Sequence, residues 1–347
     1  MTFLRNTWYV AAWADEVKAG SLFQRRILGE DVLIYRAADG EPVAIADRCP
    51  HRFAPLHLGK LCGEVVQCPY HGLQFDRSGA CVANPHGPVP GAARVKSYPV
   101  LERFSAVWIW TGEPSKANPA LLPEFDFLVP EHWYVGTDSM LIEAPYELEI
   151  DNILDLSHIE FLHPLFASEA VRAARVQSSQ DGDTVWSKRH MVRDRLPEFL
   201  MQAFSIPAGE LADRWLDVRW NAPALMALYT GAVVSGQPRD KGLEFQQAHL
   251  FTPETAHTTH YFYSHSYPRS MGPIGAQMAV DTVRSLRGPF MNEDKPIVEA
   301  VARNMRGQNF WDLKPLLLSI DGAAVKARRV LERMIGAEQA AGPAGPG

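Results

Sequence analysis

The stretch "CPHRFAPLHLGKLCGEVVQCPYHG", residues 49–72, decides how this chain is read. It holds Cys49-x-His51 and Cys68-x-x-His71, two short pairs each containing a proline and separated by sixteen residues. Thiolate and imidazole donors presented on two turns are how a protein builds a closed four-ligand metal site. Buried cysteines beside surface histidines are the bland alternative, and the tight spacing of both pairs speaks against it. Two metals suit the four residues: a zinc ion, or a [2Fe–2S] cluster with two thiolates on one iron and two imidazoles on the other. His57 and His86 fall outside the pattern and read as loop histidines, while Cys62 and Cys81 read as small buried side chains.

Working outward, the motif sits among short strands. "DVLIYRA", "PVAIAD", "RVKSYPVLER" and "AVWIWTG" are rich in β-branched and aromatic residues, with turn signals such as "ADGEP" and "DRSGA" between them. They predict a small all-β domain over residues 1–115. Residues 116–134 are proline-rich and aperiodic, and read as a linker. From residue 135 to 340 a helical segment near 147–163, a run of long strands and two long helical stretches near 275–306 and 321–339 predict an α+β domain. Residues 341–347, rich in Gly, Pro and Ala, are expected to be disordered.

Composition narrows the function classes. The 347 residues are 46% hydrophobic and 21% charged, with a net charge of −6 and no dense Lys/Arg run. That opposes a nucleic-acid or anionic-membrane surface. No apolar run is long enough for a membrane span, and the N-terminus lacks the features of a signal peptide, so the cytoplasm is the expected location. Four cysteines in a chain of this length are not a disulfide scaffold.

A second polar cluster lies in "EIDNILDLSHIEFLHPLF", residues 149–166. On an ideal helix Asp151, Asp155 and His158 fall on one stripe, while His163 is rotated roughly 140° from His158. Pro164 biases His163 away from the α region, so the helix is expected to end there and let its ring turn toward His158. Two histidines and one carboxylate with open positions are the donor set of mononuclear non-haem iron. By spacing alone, either Asp151 or Asp155 serves as the carboxylate.

Together these motifs resemble the Rieske non-haem iron oxygenases. "CPHR" and "CPYHGLQFD" are similar to the two halves of the Rieske motif, and "DNILDLSHIEFLHP" to the iron-binding segment of the catalytic domain. "RNTWYVAAW", "TPET" and "SIDGAAVKARRVLERMIGAE" extend the likeness over nearly the whole chain, toward the vanillate and dicamba O-demethylases and toluenesulfonate methyl-monooxygenases. The resemblance implies a Rieske [2Fe–2S] cluster on Cys49, His51, Cys68 and His71, and a helix-grip (START-like) antiparallel-sheet catalytic domain. It moves the carboxylate ligand of a mononuclear Fe(II) to Asp294 in "NEDKPIVEAV". Without it, Asn292 would read as a helix cap with Glu293 and Asp294 in the first turn. The resemblance makes Asp155 the electron-transfer bridge between a ligand histidine of the mononuclear iron and the His71 of a neighbouring subunit in a homotrimer, places Asn152 close behind the iron, and leaves Asp151 structural. No Cys follows His51 before Cys62, so the disulfide of respiratory Rieske proteins is not expected, and the potential should lie near the low end, about −150 mV.

The implied activity is that of a terminal oxygenase. Electrons from an NADH-dependent flavin/[2Fe–2S] reductase and O₂ hydroxylate a methyl or methoxy group of an aromatic acid, the methoxy case releasing formaldehyde. The chain has no G-x-G-x-x-G after a strand and is not expected to bind NAD(P)H or flavin itself. His249 matches a substrate-binding histidine of the dicamba enzyme. That enzyme's asparagine and tryptophan contacts are replaced near Leu228 and Leu286, which opposes dicamba as substrate. Ring-dihydroxylating or N-demethylating relatives are the nearer alternative. A non-catalytic electron carrier or zinc-stabilised binding protein is the more distant one.

Overall fold

A computed structural model describes residues 3–342 of the chain, so the expected tail lies, from Pro343 onward, outside the described residues. Two compact units divide between Glu124 and Phe125, inside the expected linker. That linker carries one-turn 3-10 helices at Pro119–Leu121 and Asp126–Leu128, another at Pro114–Lys116 leads into it, and Trp133 already opens the next sheet. Thr252–Ala256 and residues 338–342 also belong to the first unit.

The first unit is three small antiparallel sheets. Trp8–Trp13 is buried at every position and pairs with Ala106–Trp110, so both faces of that ribbon are core. Each fully buried large apolar side chain stabilises by roughly 1.5–3 kcal/mol. A second core joins Leu33, Tyr35, Ile45 and Phe75 to Cys49 and Cys68. The metal-motif thiols are therefore built into the hydrophobic packing.

The second unit is one seven-stranded sheet with helices: β1 (Trp133–Ile142), β2 (Arg175–Asp181), β3 (Thr184–Asp194), β4 (Ala212–Asn221), β5 (Leu225–Val234), β6 (Leu243–Pro253) and β7 (Thr259–Pro268). The order is β1-β7-β6-β5-β4-β3-β2, a meander whose first strand closes against its last. β3 alternates buried and exposed positions over most of its length, as a half-buried strand does. The α+β expectation holds.

Helices α1 (Tyr146–Leu154), α2 (Ile159–Leu162), α3 (Pro273–Pro289), α4 (Lys295–Met305) and α5 (Gly322–Ala340) complete the frame. α3 packs on β1 and β7, and Gly136 lets it approach. A Cβ there would stand 2.1 Å from the Ala279 carbonyl oxygen, so no other residue fits without moving the helix. The single helix expected over 147–163 is broken. Asp155 has φ −119° and ψ 90°, closing α1 and capping a 3-10 turn at Leu156–His158. The polar stripe drawn on an ideal helix therefore does not exist, because its middle member is the break. His163 ends α2 with φ −115° and ψ 79°, as Pro164 requires.

Candidate active site

In the first unit, the two motif loops have the same backbone construction. Cys49 N–H donates to Ala54 O and Phe53 N–H to Cys49 O, both at 2.9 Å. Cys68 N–H donates to Leu73 O at 2.8 Å and Gly72 N–H to Cys68 O at 3.2 Å. The residue four after each cysteine has positive φ: Phe53 at 59° and Gly72 at 74°. Phe53 pays the steric cost that glycine avoids, and it lies 64% exposed at the loop tip. Both thiols are buried, and Cys68 is close enough to hydrogen-bond Cys49. Burial, with the neighbouring thiol, pushes the Cys49 thiol up. The His51 and His71 rings stand 4.5 Å apart, on the solvent side of the thiols. Two inner sulfurs and two outer imidazoles are the donor set a Rieske cluster needs.

The neighbours of these loops correct one expectation. Cys62 is exposed, not buried; it lies in the short strand Lys60–Cys62 and its thiol donates to Gln67 Oε1 at 3.5 Å. His86 is a loop histidine, as expected, exposed in a turn with its Nε2 3.1 Å from the His71 carbonyl oxygen. His57 is held by the buried Asp47 carboxylate.

In the second unit, the chain brings His158, His163 and Asp294 together, with one donor atom from each inside a 4.8 Å circle. His158 Nε2 is 3.5 Å from Asp294 Oδ1, and His163 Nε2 is 3.2 Å from Oδ2. A first-row divalent ion about 2.1 Å from each donor needs cis donors about 3 Å apart, so the triad fits one such ion. The other ring nitrogens point away into fixed partners. His158 Nδ1 lies 2.8 Å from the Asp155 main-chain oxygen, and His163 Nδ1 lies 2.6 Å from Glu293 Oε2. Each contact selects the tautomer that leaves Nε2 as the donor.

Burial lowers the His158 pKa, and Asp294 only partly offsets it. Burial also opposes protonation of His163, but Asp294 and Glu293 outweigh it and raise that pKa. Asp294 is neither a capped nor a first-turn residue. It closes a π-helical turn, Phe290–Asp294, inserted between α3 and α4. Such insertions re-aim side chains at functional sites, and this one turns Glu293 and Asp294 together onto His163.

The remaining residues sort themselves around this triad. Asn152 donates through Nδ2 to Asp294 Oδ1 at 3.2 Å. The Asp155 carboxylate accepts from Ser157 N–H and Oγ, and from Arg189 Nη2 at 3.0 Å, so it touches His158 through its backbone only. Asp151 points elsewhere, into a salt bridge with Arg328 at 2.6 Å. His249 is buried, its Nδ1 2.6 Å from the Tyr261 hydroxyl and its Nε2 without a partner. Sequence reasoning missed Glu293 and Arg189. The first had a signal in its adjacency to Asp294, and the second, a strand residue 34 positions from Asp155, had none.

The triad opens on a cavity of about 550 Å³ lined mainly by apolar side chains, among them Ile153, Phe204, Leu216, Leu228, Phe245 and Phe290. Against known families, residues 142–337 match the vanillate O-demethylase oxygenase C-terminal domain, and residues 7–99 the Rieske [2Fe–2S] domain. The chain belongs to the vanillate O-demethylase oxygenase family. It is similar to the chloroacetanilide N-alkylformylase oxygenase component of Rhizorhabdus wittichii, 38% identical over 97% of both chains. The dicamba O-demethylase oxygenase component of Stenotrophomonas maltophilia is 36% identical over 96% of this chain and 98% of its own. Crystal structures of dicamba monooxygenase, 32% identical, superpose over 98% of this chain and 100% of theirs. The TM-score is 0.90 for the form bound to 3,6-dichlorosalicylic acid and 0.82 for the form with non-haem iron and dicamba. This member of the family is thus the oxygenase component of a Rieske non-haem iron monooxygenase, and its relatives' description as components implies a separate reductase. Among the described residues no helix is long and apolar enough to cross a membrane.

Proposed function

We propose that the chain uses O₂ and reductase-supplied electrons to hydroxylate a methyl, methoxy or other alkyl carbon carried by an aromatic ring. The observation that carries this is the convergence of His158, His163 and Asp294 on an apolar cavity large enough for a substituted ring. Cys49, Cys68, His51 and His71 would hold the cluster, and His158, His163 and Asp294 the mononuclear iron. When bound, the cluster supplies single electrons and the Fe(II) activates O₂.

The chain's own residues do the rest. Asp155 and Glu293 fix the two imidazoles, and Asn152 steadies the Asp294 carboxylate. The apolar lining around Phe290 keeps water from the reacting carbon. A methoxy carbon so hydroxylated collapses to a phenol and formaldehyde.

Asp155 serves the electron path from a neighbouring subunit's His71 in a head-to-tail trimer. Two surfaces support this assembly. A hollow beside Asp155 and His158 is rimmed by Leu316 and Leu317, 88% and 44% exposed, and in the first unit Phe53, Leu58 and Tyr70 are exposed around the Cys/His loops. The test is a panel of methoxy-, methyl- and N-alkyl-substituted aromatics with a surrogate reductase, following formaldehyde and substrate-dependent O₂ use. Uptake of O₂ without oxygenated product from every compound would overturn the proposal, as would zinc at the first site.

A further inference from the structure

Arg214, near the start of β4, is the one Lys or Arg side chain among the described residues lining the cavity. It is 6% exposed and faces Asp194, at the end of β3, which is 1% exposed. Their closest approach is 3.8 Å, too long for a hydrogen bond, and both Asp194 oxygens and Arg214 Nη1 lack hydrogen-bond partners. Asp194 does not itself line the cavity. It stands behind the guanidinium and cancels its charge.

The register places this pair far along the sheet from His249. His249 pairs with Met226 on β5, and Met226 with Trp220 on β4. Arg214 lies six residues before Trp220, about 20 Å of strand at roughly 3.3 Å per residue. His249 itself sits at the iron end, 6.0 Å from Phe290 of the π-helical turn. The cavity therefore has a reacting end and, toward Arg214, Phe204 and Phe245, a distal end.

The charges add to a definite preference. Arg214 and Asp194 sum to zero, and burial holds His249 and His265 uncharged at neutral pH, with pKa values near 4 and 3. Of the acids on the lining, Asp294 is committed to the iron site and Asp281 to Gln277 and Arg284. A carboxylate bound at the Arg214 end would meet no unbalanced cation and would bring an uncompensated charge to a buried pair that is already neutral. A neutral acceptor oxygen meets a cavity-lining guanidinium that still has donors to give.

Building on the proposed oxygenase function, we infer that Arg214, neutralised by Asp194, selects uncharged aromatic substrates bearing a hydrogen-bond acceptor, such as an amide carbonyl or ether, away from the oxidised carbon. This departs from the aromatic acid expected from sequence, and the test below decides between the two.

The test uses the iron-replete trimer and matched pairs: methoxybenzamides against methoxybenzoates, and N-alkylanilides against their ring-carboxylated forms. Calorimetric binding is measured beside turnover. The neutral member of each pair should bind at least about tenfold more tightly. Asp194→Asn, which frees the Arg214 charge, should shift the ratio toward the acids by a similar factor. If that variant does not fold, Arg214→Met with Asp194→Leu replaces the pair by apolar groups. It should keep the Rieske spectrum and lose the preference for acceptor-bearing compounds over their alkyl analogues. Acids binding as well as neutral partners, an unmoved ratio in Asp194→Asn, or no binding by any pair would overturn the inference. Neutral compounds that bind selectively without being oxygenated would sink the proposed reaction and leave the selectivity standing.

Discussion

The two metal-binding regions of this molecule are built on opposite principles. The Cys/His loops are local: each turn is closed by its own backbone, cysteine N–H and C=O bonded to residues four and five further on, and the donors lie within 23 residues of sequence. The His/His/Asp triad is assembled from afar. His163 and its partner Glu293 are 130 residues apart, and neither histidine sits on an uninterrupted helix. A site made of loops takes its geometry from its own turns, even where its thiols pack into a shared core. A site made of helix breaks depends on everything that aims those breaks.

Emptying one region without disturbing the other is the sharpest way to break that contrast. His163→Ala should release the mononuclear iron, reducing roughly three irons per chain to about two, and drop turnover to background while leaving the Rieske absorption intact. Loss of the cluster signal in the same variant would mean that the two regions are not independent. Asp155→Asn probes their connection. Its main-chain bond to His158 survives the substitution, but the charge facing Arg189 does not. Both metals should stay, and single-turnover electron transfer should slow by about a hundredfold. Normal rates would remove Asp155 from the electron path.

The contrast also explains what could be read in advance. That Cys49, His51, Cys68 and His71 come together on two matching turns was legible because turn chemistry and residue spacing are both local properties. The His163 break was legible from Pro164. The Asp155 break was not, because Asp155 ends α1 through a tertiary bond to Arg189 and a capping bond to Ser157 that no helical periodicity contains. Asp294 came from family likeness alone, since a π-helical turn leaves no mark on apolar spacing. Glu293→Gln tests that insertion directly. The amide still reaches His163 Nδ1 but loses its charge, so iron affinity should weaken about 10–100-fold with the Rieske spectrum unchanged. An unchanged affinity would assign the orienting role to Asp294 alone.

A smaller effect separates the regions by their surroundings. Glu149, on α1, is 2% exposed with Oε1 unpartnered, and burial, with help from Asp294 and Glu299, pushes its pKa up to about 8. Its carboxyl is neutral in the folded protein near pH 7 and ionised in the unfolded chain above about pH 4.5. The unfolded state therefore gains as pH climbs from that value toward 8, and the folded state loses stability over the same window. Glu149→Gln abolishes the titration. The variant should melt close to the parent at pH 5 and above it at pH 8, with the gap narrowing on iron loading, since iron on the proposed ligand Asp294 weakens the repulsion. A gap of equal size at both pH values would show that Glu149 is ionised in the folded protein, and that α1 tolerates a second buried negative charge beside the iron ligands.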